Sequence, residues 1–441
     1  MLGGSRKFSI AALDLKWEAL NQTGRFPRSR NRPKRIAVLI KAVTELASTA
    51  LFVATLPGSG EIALTTLGAI LPSSAPVNSS MERPGSRCGK LAVVIPAHNE
   101  SATILRCLQS LRNCEPLSGE REVSLVVVAD NCTDDTANIA RQAGAITMVR
   151  TDRERIGKGF ALQDTFEELL AQDFDAFVIV DADTVVERNF IVEIARMLDA
   201  GADAVQTRYL ALNAEASLPS RLASIALMAF NVVRPRGRDR LRLSAGVLGN
   251  GFALPRRTLQ AVPYSASSIV EDLEYHLRLI ESGKRVAFAD RTTVRAEMPV
   301  TALAMAMQRS RWEGGRLRML VLNAIPLGRA LTRGNVRAFE PLLELMTLPL
   351  SFHVSMLAVL LVIGSPVFRI YSLVALVVIF VQVVVAVIVT GGKLDDLATL
   401  LAAPFYIAWK LMLSANIFRF ARKDAKWVRT ERSEVAPDTQ S

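Results

Sequence analysis

Histidine and cysteine are both scarce in this chain, with three of one and four of the other in 441 residues. Cys88, Cys107, Cys114 and Cys132 form no C-x-x-C pair and have no histidine at metal-ligand spacing. That excludes zinc-finger and thioredoxin-like chemistry, and the four read as reduced thiols in a cytosolic compartment. His98, His276 and His353 are scattered, and no metal or catalytic role is assigned to them. RNA-binding signatures, zinc-finger spacings and a basic zipper are missing, so nucleic acid is not the expected partner. A cleavable leader is not expected either, because polar residues interrupt the stretch from Phe8 to Leu20.

Apolar residues and positive charge are what the chain has in excess. Half of its residues are hydrophobic, its mean hydropathy is +0.26, and its net charge is +11. The apolar residues concentrate at 36–72 and 339–420, and basic residues cluster beside them, at Arg25 to Lys41 and Arg419 to Arg432. Placed there, the charge points to a lipid surface. The segment 36–72 is broken by Lys41, Glu45 and Pro57-Gly58-Ser59-Gly60-Glu61, and reads as one imperfect span or two short interfacial helices. Further on, 339–363 and 367–390 flank Gly364-Ser365-Pro366 and predict a membrane hairpin, with 396–418 interfacial or a third membrane helix. The basic tail places the C-terminus in the cytoplasm. The expected organisation is a basic segment 1–35, a hydrophobic membrane segment 36–72, a linker 73–89 and a catalytic domain 90–335. A membrane region 336–420 and a basic cytoplasmic tail 421–441 complete it.

Between Lys90 and about Pro299 strands and helices alternate. Leu91 to Ile95, Leu125 to Val128, Ala145 to Val149 and Phe177 to Val180 read as strands. Ser101 to Leu111, Thr136 to Ala143 and Phe160 to Ala171 read as helices. This alternation predicts an α/β fold on a mostly parallel sheet, whose ligands bind beyond the carboxyl ends of the strands. Pro96 to Glu100, Asp130, and Asp181-Ala182-Asp183 fall there. Two carboxylates one residue apart suit a hard divalent cation that completes its shell with phosphate oxygens. A solvated acidic turn is the plainer explanation. Asp134 and Asp135 suit helix capping, whereas Asp130 precedes the cap. Gly157-Lys158-Gly159 offers one cation on a flexible loop without the rest of a Walker A pattern. Glu271-Asp272 opens a helix, where the dipole favours acids and where a carboxylate also has the chemistry of a general base. Arg311 and Trp312, within Gln308 to Trp312, suit either a phosphate and a sugar or a membrane interface.

In that order and spacing, Val94 to Glu100, Val127 to Asn131, Asp181 to Asp183, Glu271-Asp272 and Gln308-Arg309-Ser310-Arg311-Trp312 resemble the family 2 inverting glycosyltransferases, of GT-A fold. The closing Q-x-x-R-W resembles the membrane-bound branch that includes cellulose, hyaluronan and chitin-oligosaccharide synthases and exopolysaccharide glycosyltransferases. The resemblance covers residues 90–315. It implies a Rossmann-like catalytic domain whose nucleotide pocket is lined by Pro96, Ala97, Asn99, Glu100 and Asp130, with Lys158 near the diphosphate. Asp183 would bind Mn2+ or Mg2+, and Asp181 would touch both the metal and the donor. Asp272, beside Glu271, would deprotonate the acceptor hydroxyl. Gly249, Asn250 and Gly251 would form the acceptor-side loop, and Gln308, Arg311 and Trp312 would hold the diphosphate and the acceptor. Ala129 departs from the pattern, since many members carry an aspartate there, and this leaves the nucleotide open. The resemblance implies a UDP-sugar donor, a lipid-linked or polysaccharide acceptor, and polysaccharide-assembly proteins as partners. It also implies a multi-pass place in the cell (inner) membrane with the catalytic domain in the cytoplasm. A polyprenyl-phosphate sugar transferase, a processive synthase and a catalytically inactive scaffold are the competing readings.

Overall fold

The computed structural model describes residues 32–72, 88–265, 268–299, 301–393 and 395–412. Most of the basic segment 1–35, most of the linker 73–89 and all of the tail 421–441 lie outside them. The centre is an eight-stranded sheet. Its strands are β1 (Lys90–Ala97), β2 (Glu122–Asp130), β3 (Ile146–Arg150), β4 (Ala176–Ile179), β5 (Thr184–Val186), β6 (Ala204–Ala211), β7 (Phe252–Pro255) and β8 (Val286–Ala296). They lie in the order β3-β2-β1-β4-β7-β6-β8-β5. β3, β2, β1 and β4 run parallel, β7 is antiparallel to both of its neighbours, and β8 is parallel to β6. This is the mostly parallel sheet that the alternation predicted, and it is GT-A-like, as the resemblance implied.

The continuous aliphatic runs of β1, β2 and β4 follow from burial on both faces. On one face Val93, Ile95, Val127 and Val178 meet Ile104, Leu108 and Ile194 of the helices Ile104–Arg112 and Phe190–Asp199. On the other, Val94, Val126, Phe177 and Ile179 meet Leu162 and Phe166 of Lys158–Leu170, with Tyr275 and Leu279 of Glu271–Glu281. The turns after β1 and β2 each place an asparagine in the left-handed region, Asn99 at φ 56° and Asn131 at φ 51°. Asparagine tolerates that conformation best among residues with a side chain.

Two expectations for the membrane segments are corrected. Residues 36–72 are not two short helices, because Arg32–Ile70 is one helix with Pro57 inside it. Two of the polar residues that seemed to break it, Ser59 and Glu61, have partners across the fold. Glu61 pairs with Arg234 and Arg238 at 2.8 and 2.7 Å, and Ser59 Oγ lies 3.0 Å from His353 Nε2. Similarly, 339–363 is not one rod. It bends by 82° between Met346 and Leu350, next to Pro349, whose ring denies the backbone a helical donor. The arm beyond the bend, Leu350–Ile363, is about 21 Å long, short of the ~30 Å hydrocarbon core. It still pairs with Pro366–Thr390 as a hairpin. Among the described residues, Ile36–Ile70 and Pro366–Thr390 are long and apolar enough to cross a membrane, and the bent pair makes a third only if it counts as one span. Residues 395–412 form short helical pieces.

Candidate active site

The loops after β1, β2 and β4 meet at the carboxyl edge of the parallel strands. His98 Nδ1 lies 2.7 Å from the Asp130 carbonyl oxygen. The Asn99 carboxamide oxygen accepts from the Thr133 amide at 2.7 Å. These bonds fasten the first two loops together, so Asn99 acts on loop shape and does not line the cavity described below. Asp130 is 5% exposed and pairs with Arg150 at 2.8 Å, which also holds Asp152 and Asp164. Burial pushes the Asp130 carboxyl above its usual range, and Arg150 offsets only part of that. Arg150 escaped the sequence reading, although an arginine closing a strand, with acids at 152 and 164, was its available signal.

Asp181 and Asp183 follow β4 after Val180. Asn250 holds their turn from below. Its Oδ1 accepts from the Asp181 amide at 3.1 Å, and its Nδ2 donates to Thr184 Oγ1 at 2.8 Å. Asn250 and Gly251 are thus spent on positioning and do not line the cavity. Lys158 Nζ donates to Asp181 Oδ1 and, at 2.6 Å, to the Gly249 carbonyl oxygen. Burial acts to lower the Lys158 pKa, but Asp181 and Glu271 outweigh it and hold it raised. Asp183 is 4% exposed and accepts from the Thr184 hydroxyl at 3.3 Å.

Glu271 and Asp272 open the helix Glu271–Glu281. Both are partly exposed and line the cavity described below. Burial first, and repulsion from Asp272 second, raise Glu271 to about 7. Burial raises Asp272 as well. Gly249, at φ +79°, passes so close that a Cβ there would sit 3.0 Å from Asp272 Oδ2. Glycine therefore serves twice, in backbone conformation and in clearance. Gly249→Ala is expected to cut turnover by at least about tenfold by displacing Asp272, since small misplacements at a reacting centre are costly. Initial rates at saturating donor check this, and an unchanged rate would separate the loop from the chemistry.

These groups share one cavity of about 920 Å³, near the upper end of small-molecule pockets. Pro96, Ala97, Glu100, Asp130, Lys158, Asp181, Asp183, Gly249, Glu271, Asp272, Gln308, Arg311 and Trp312 all line it. His98 and His276, left without a role by the sequence, line it too. His276 is buried, which lowers its pKa to about 3 and keeps it neutral. Among the described residues no group of three or more His, Cys, Asp or Glu surrounds a cation position. Asp181 and Asp183 offer two carboxylates and leave the remaining ligands to phosphate oxygens and water, which fits magnesium or manganese better than an all-protein cage would.

The family model described as "Glycosyltransferase like family 2" matches residues 88–315. The chain is 28% identical over 235 residues to a probable glycosyltransferase of Bacillus subtilis, covering 51% of this chain and 55% of that protein. It is 26% identical over 238 residues to a β-monoglucosyldiacylglycerol synthase of Nostoc sp., covering 52% and 50%. The chain thus spans about half the length of these curated relatives. Among solved structures, a mannosyltransferase of Pyrobaculum calidifontis, in complex with GDP-Man and Mn2+, superposes with a TM-score of 0.51 at 16% identity, covering 86% of this chain and 97% of that one. That last likeness is one of fold.

Proposed function

The chain belongs to glycosyltransferase-like family 2, and from that membership we propose that it transfers a sugar from a nucleoside-diphosphate donor, UDP-linked by preference, to an acceptor hydroxyl at a membrane, with inversion. The carrying observation is the convergence of Lys158, Asp181, Asp183, Asp272 and Arg311, drawn from distant parts of the chain, on one cavity. Pro96, Ala97, Glu100 and Asp130 form the nucleotide end of the proposal, and Gln308, Arg311 and Trp312 the diphosphate and acceptor end, as in the membrane-bound Q-x-x-R-W branch. A divalent metal on Asp183 and Asp181, when bound, would offset charge on the diphosphate oxygens. Asp272 takes the proton from the acceptor hydroxyl, whose oxygen bonds to the anomeric carbon from the face opposite the leaving group. The bond from that carbon to the diphosphate breaks, and the nucleoside diphosphate leaves. Lys158 and Arg311 stabilise the charge that develops on it. The domain limits 90–335 and 336–420, the cytoplasmic placement of the catalytic domain and a product at the cell surface belong to the same proposal.

Incubating the purified full chain with a panel of radiolabelled UDP- and GDP-sugars, with and without Mn2+, tests this. Metal-dependent release of nucleoside diphosphate from at least one donor is expected. No release from any donor would overturn the proposal.

A further inference from the structure

The cavity does not end at Asp272. It continues downward between helices that are candidates to lie in the membrane. Glu61, Ile62 and Thr65 line it from the helix Arg32–Ile70, and Gln382 lines it from Pro366–Thr390. Gln382 sits about two turns, or roughly 12 Å, in from the Thr390 end. That end meets the catalytic domain, where Thr390 Oγ1 donates to Met228 at 3.3 Å. The apolar wall of this lower part is Ile62, Ala226, Leu227, Phe230, Leu348 and Leu350, and Arg234, Arg316, Glu344 and Thr347 stand among them.

Two properties of these walls decide what fits. First, Phe230 offers poor stacking for a sugar, because the guanidinium carbons of Arg234 and Arg316 already lie 5.0 and 5.5 Å from its centroid. Second, the charges are matched internally. Arg234 pairs with Glu61 and Glu344 at 2.8 and 2.5 Å, and Arg316 pairs with Glu344 at 3.3 Å. The polar neighbours are likewise engaged. Thr65 Oγ1 donates to the Glu61 carbonyl at 2.8 Å, and Asn231 Nδ2 donates to the Tyr209 carbonyl at 3.0 Å. A phosphate-bearing acceptor would have to break these pairs to be neutralised here. An uncharged amphiphile would not.

We propose that the lower cavity is the acceptor subsite and takes an uncharged lipid alcohol, with its hydroxyl beneath Asp272 and its hydrocarbon against Ile62, Leu227, Phe230 and Leu350. The assignment rests on the glycosyltransferase reading above, and it narrows the acceptor from any hydroxyl to a neutral membrane lipid.

The test uses the full chain in vesicles of phosphatidylcholine, with the donor selected by the hydrolysis panel. The vesicles carry diacylglycerol, phosphatidic acid or polyprenyl phosphate, and soluble oligosaccharides are offered in a fourth reaction. Label should enter the lipid phase with diacylglycerol at a rate at least about tenfold above the other three. Leu227→Trp, which fills the lower cavity, should raise KM for diacylglycerol at least about tenfold, and an unchanged KM overturns the assignment. Transfer to the oligosaccharide or to either phosphate in preference to diacylglycerol overturns the acceptor assignment and leaves the glycosyltransferase reading standing. Donor hydrolysis without transfer to diacylglycerol also overturns it. No hydrolysis of any donor sinks both readings together.

Discussion

Asp272→Asn should lower sugar transfer by about 10³-fold and leave nucleotide binding within about twofold. The first number follows from the contribution of a positioned general base, about 10²–10⁴-fold. The second follows from position. Asp272 packs against the Cα of Gly249, whereas Lys158 bonds to the Gly249 carbonyl and to Asp181, the groups that face the diphosphate in this reading. Asparagine keeps the size of the side chain and an oxygen able to accept from the Leu273 amide, which the carboxylate accepts at 2.8 Å. The loss would therefore report the missing base and not a collapsed helix start. Glu271 is an adjacent carboxylate with a raised pKa near 7, so Glu271→Gln is the control. If Glu271→Gln were the more damaging of the two, the base would be reassigned to Glu271. Near-normal turnover in Asp272→Asn would remove Asp272 from the chemistry.

Glu61→Ala should destabilise the protein by about 3–5 kcal/mol, the cost of removing one partner from a buried ion pair. Glu61 is 3% exposed and engages Arg234, Arg238 and the Thr347 hydroxyl together. The Arg238 side chain is fully buried and has Glu340 at 2.7 Å and Glu344 at 3.7 Å as its other carboxylates. Without Glu61, two guanidiniums beneath the active site lose a shared counter-charge, and the N-terminal helix loses its main polar attachment to the catalytic domain. Thermal unfolding in detergent should show Tm lower by roughly 5–10 °C. Glu61→Gln keeps hydrogen-bonding capacity and should fall between the two. Equal Tm values for all three proteins would mean that the network carries no net stability and that apolar packing alone attaches the helix.

The parallel half of the sheet was legible because its strands are short aliphatic runs, each followed by a helix with one apolar face. β1 to β4 and the three helices between and after them fall within a few residues of the expected limits. β5 to β8 were not legible, because their pairing depends on partners far away in the chain, such as Ile179 with Phe252. The acidic site residues stood out as carboxylates at strand ends. Arg150 and Asn250 did not, since each acts through partners that sequence spacing does not reveal. The membrane segment 36–72 was left open between one helix and two at Pro57 to Glu61 for a related reason. A glutamate in an apolar helix looks like a break until Arg234 and Arg238 are seen beside it. The same contacts hid the lower cavity, which exists only where the N-terminal helix, the Leu348 to Leu350 bend and Gln382 come together.

The most direct test of the donor site is equilibrium binding of the nucleoside diphosphate released by the active donor, measured with and without Mn2+ on wild type, Asp183→Asn and Asp272→Asn. The two-sided site predicts metal-dependent binding by wild type and Asp272→Asn, with affinity lost by at least about tenfold in Asp183→Asn. Equal, metal-independent binding by all three would contradict the placement of the donor at Asp181 and Asp183.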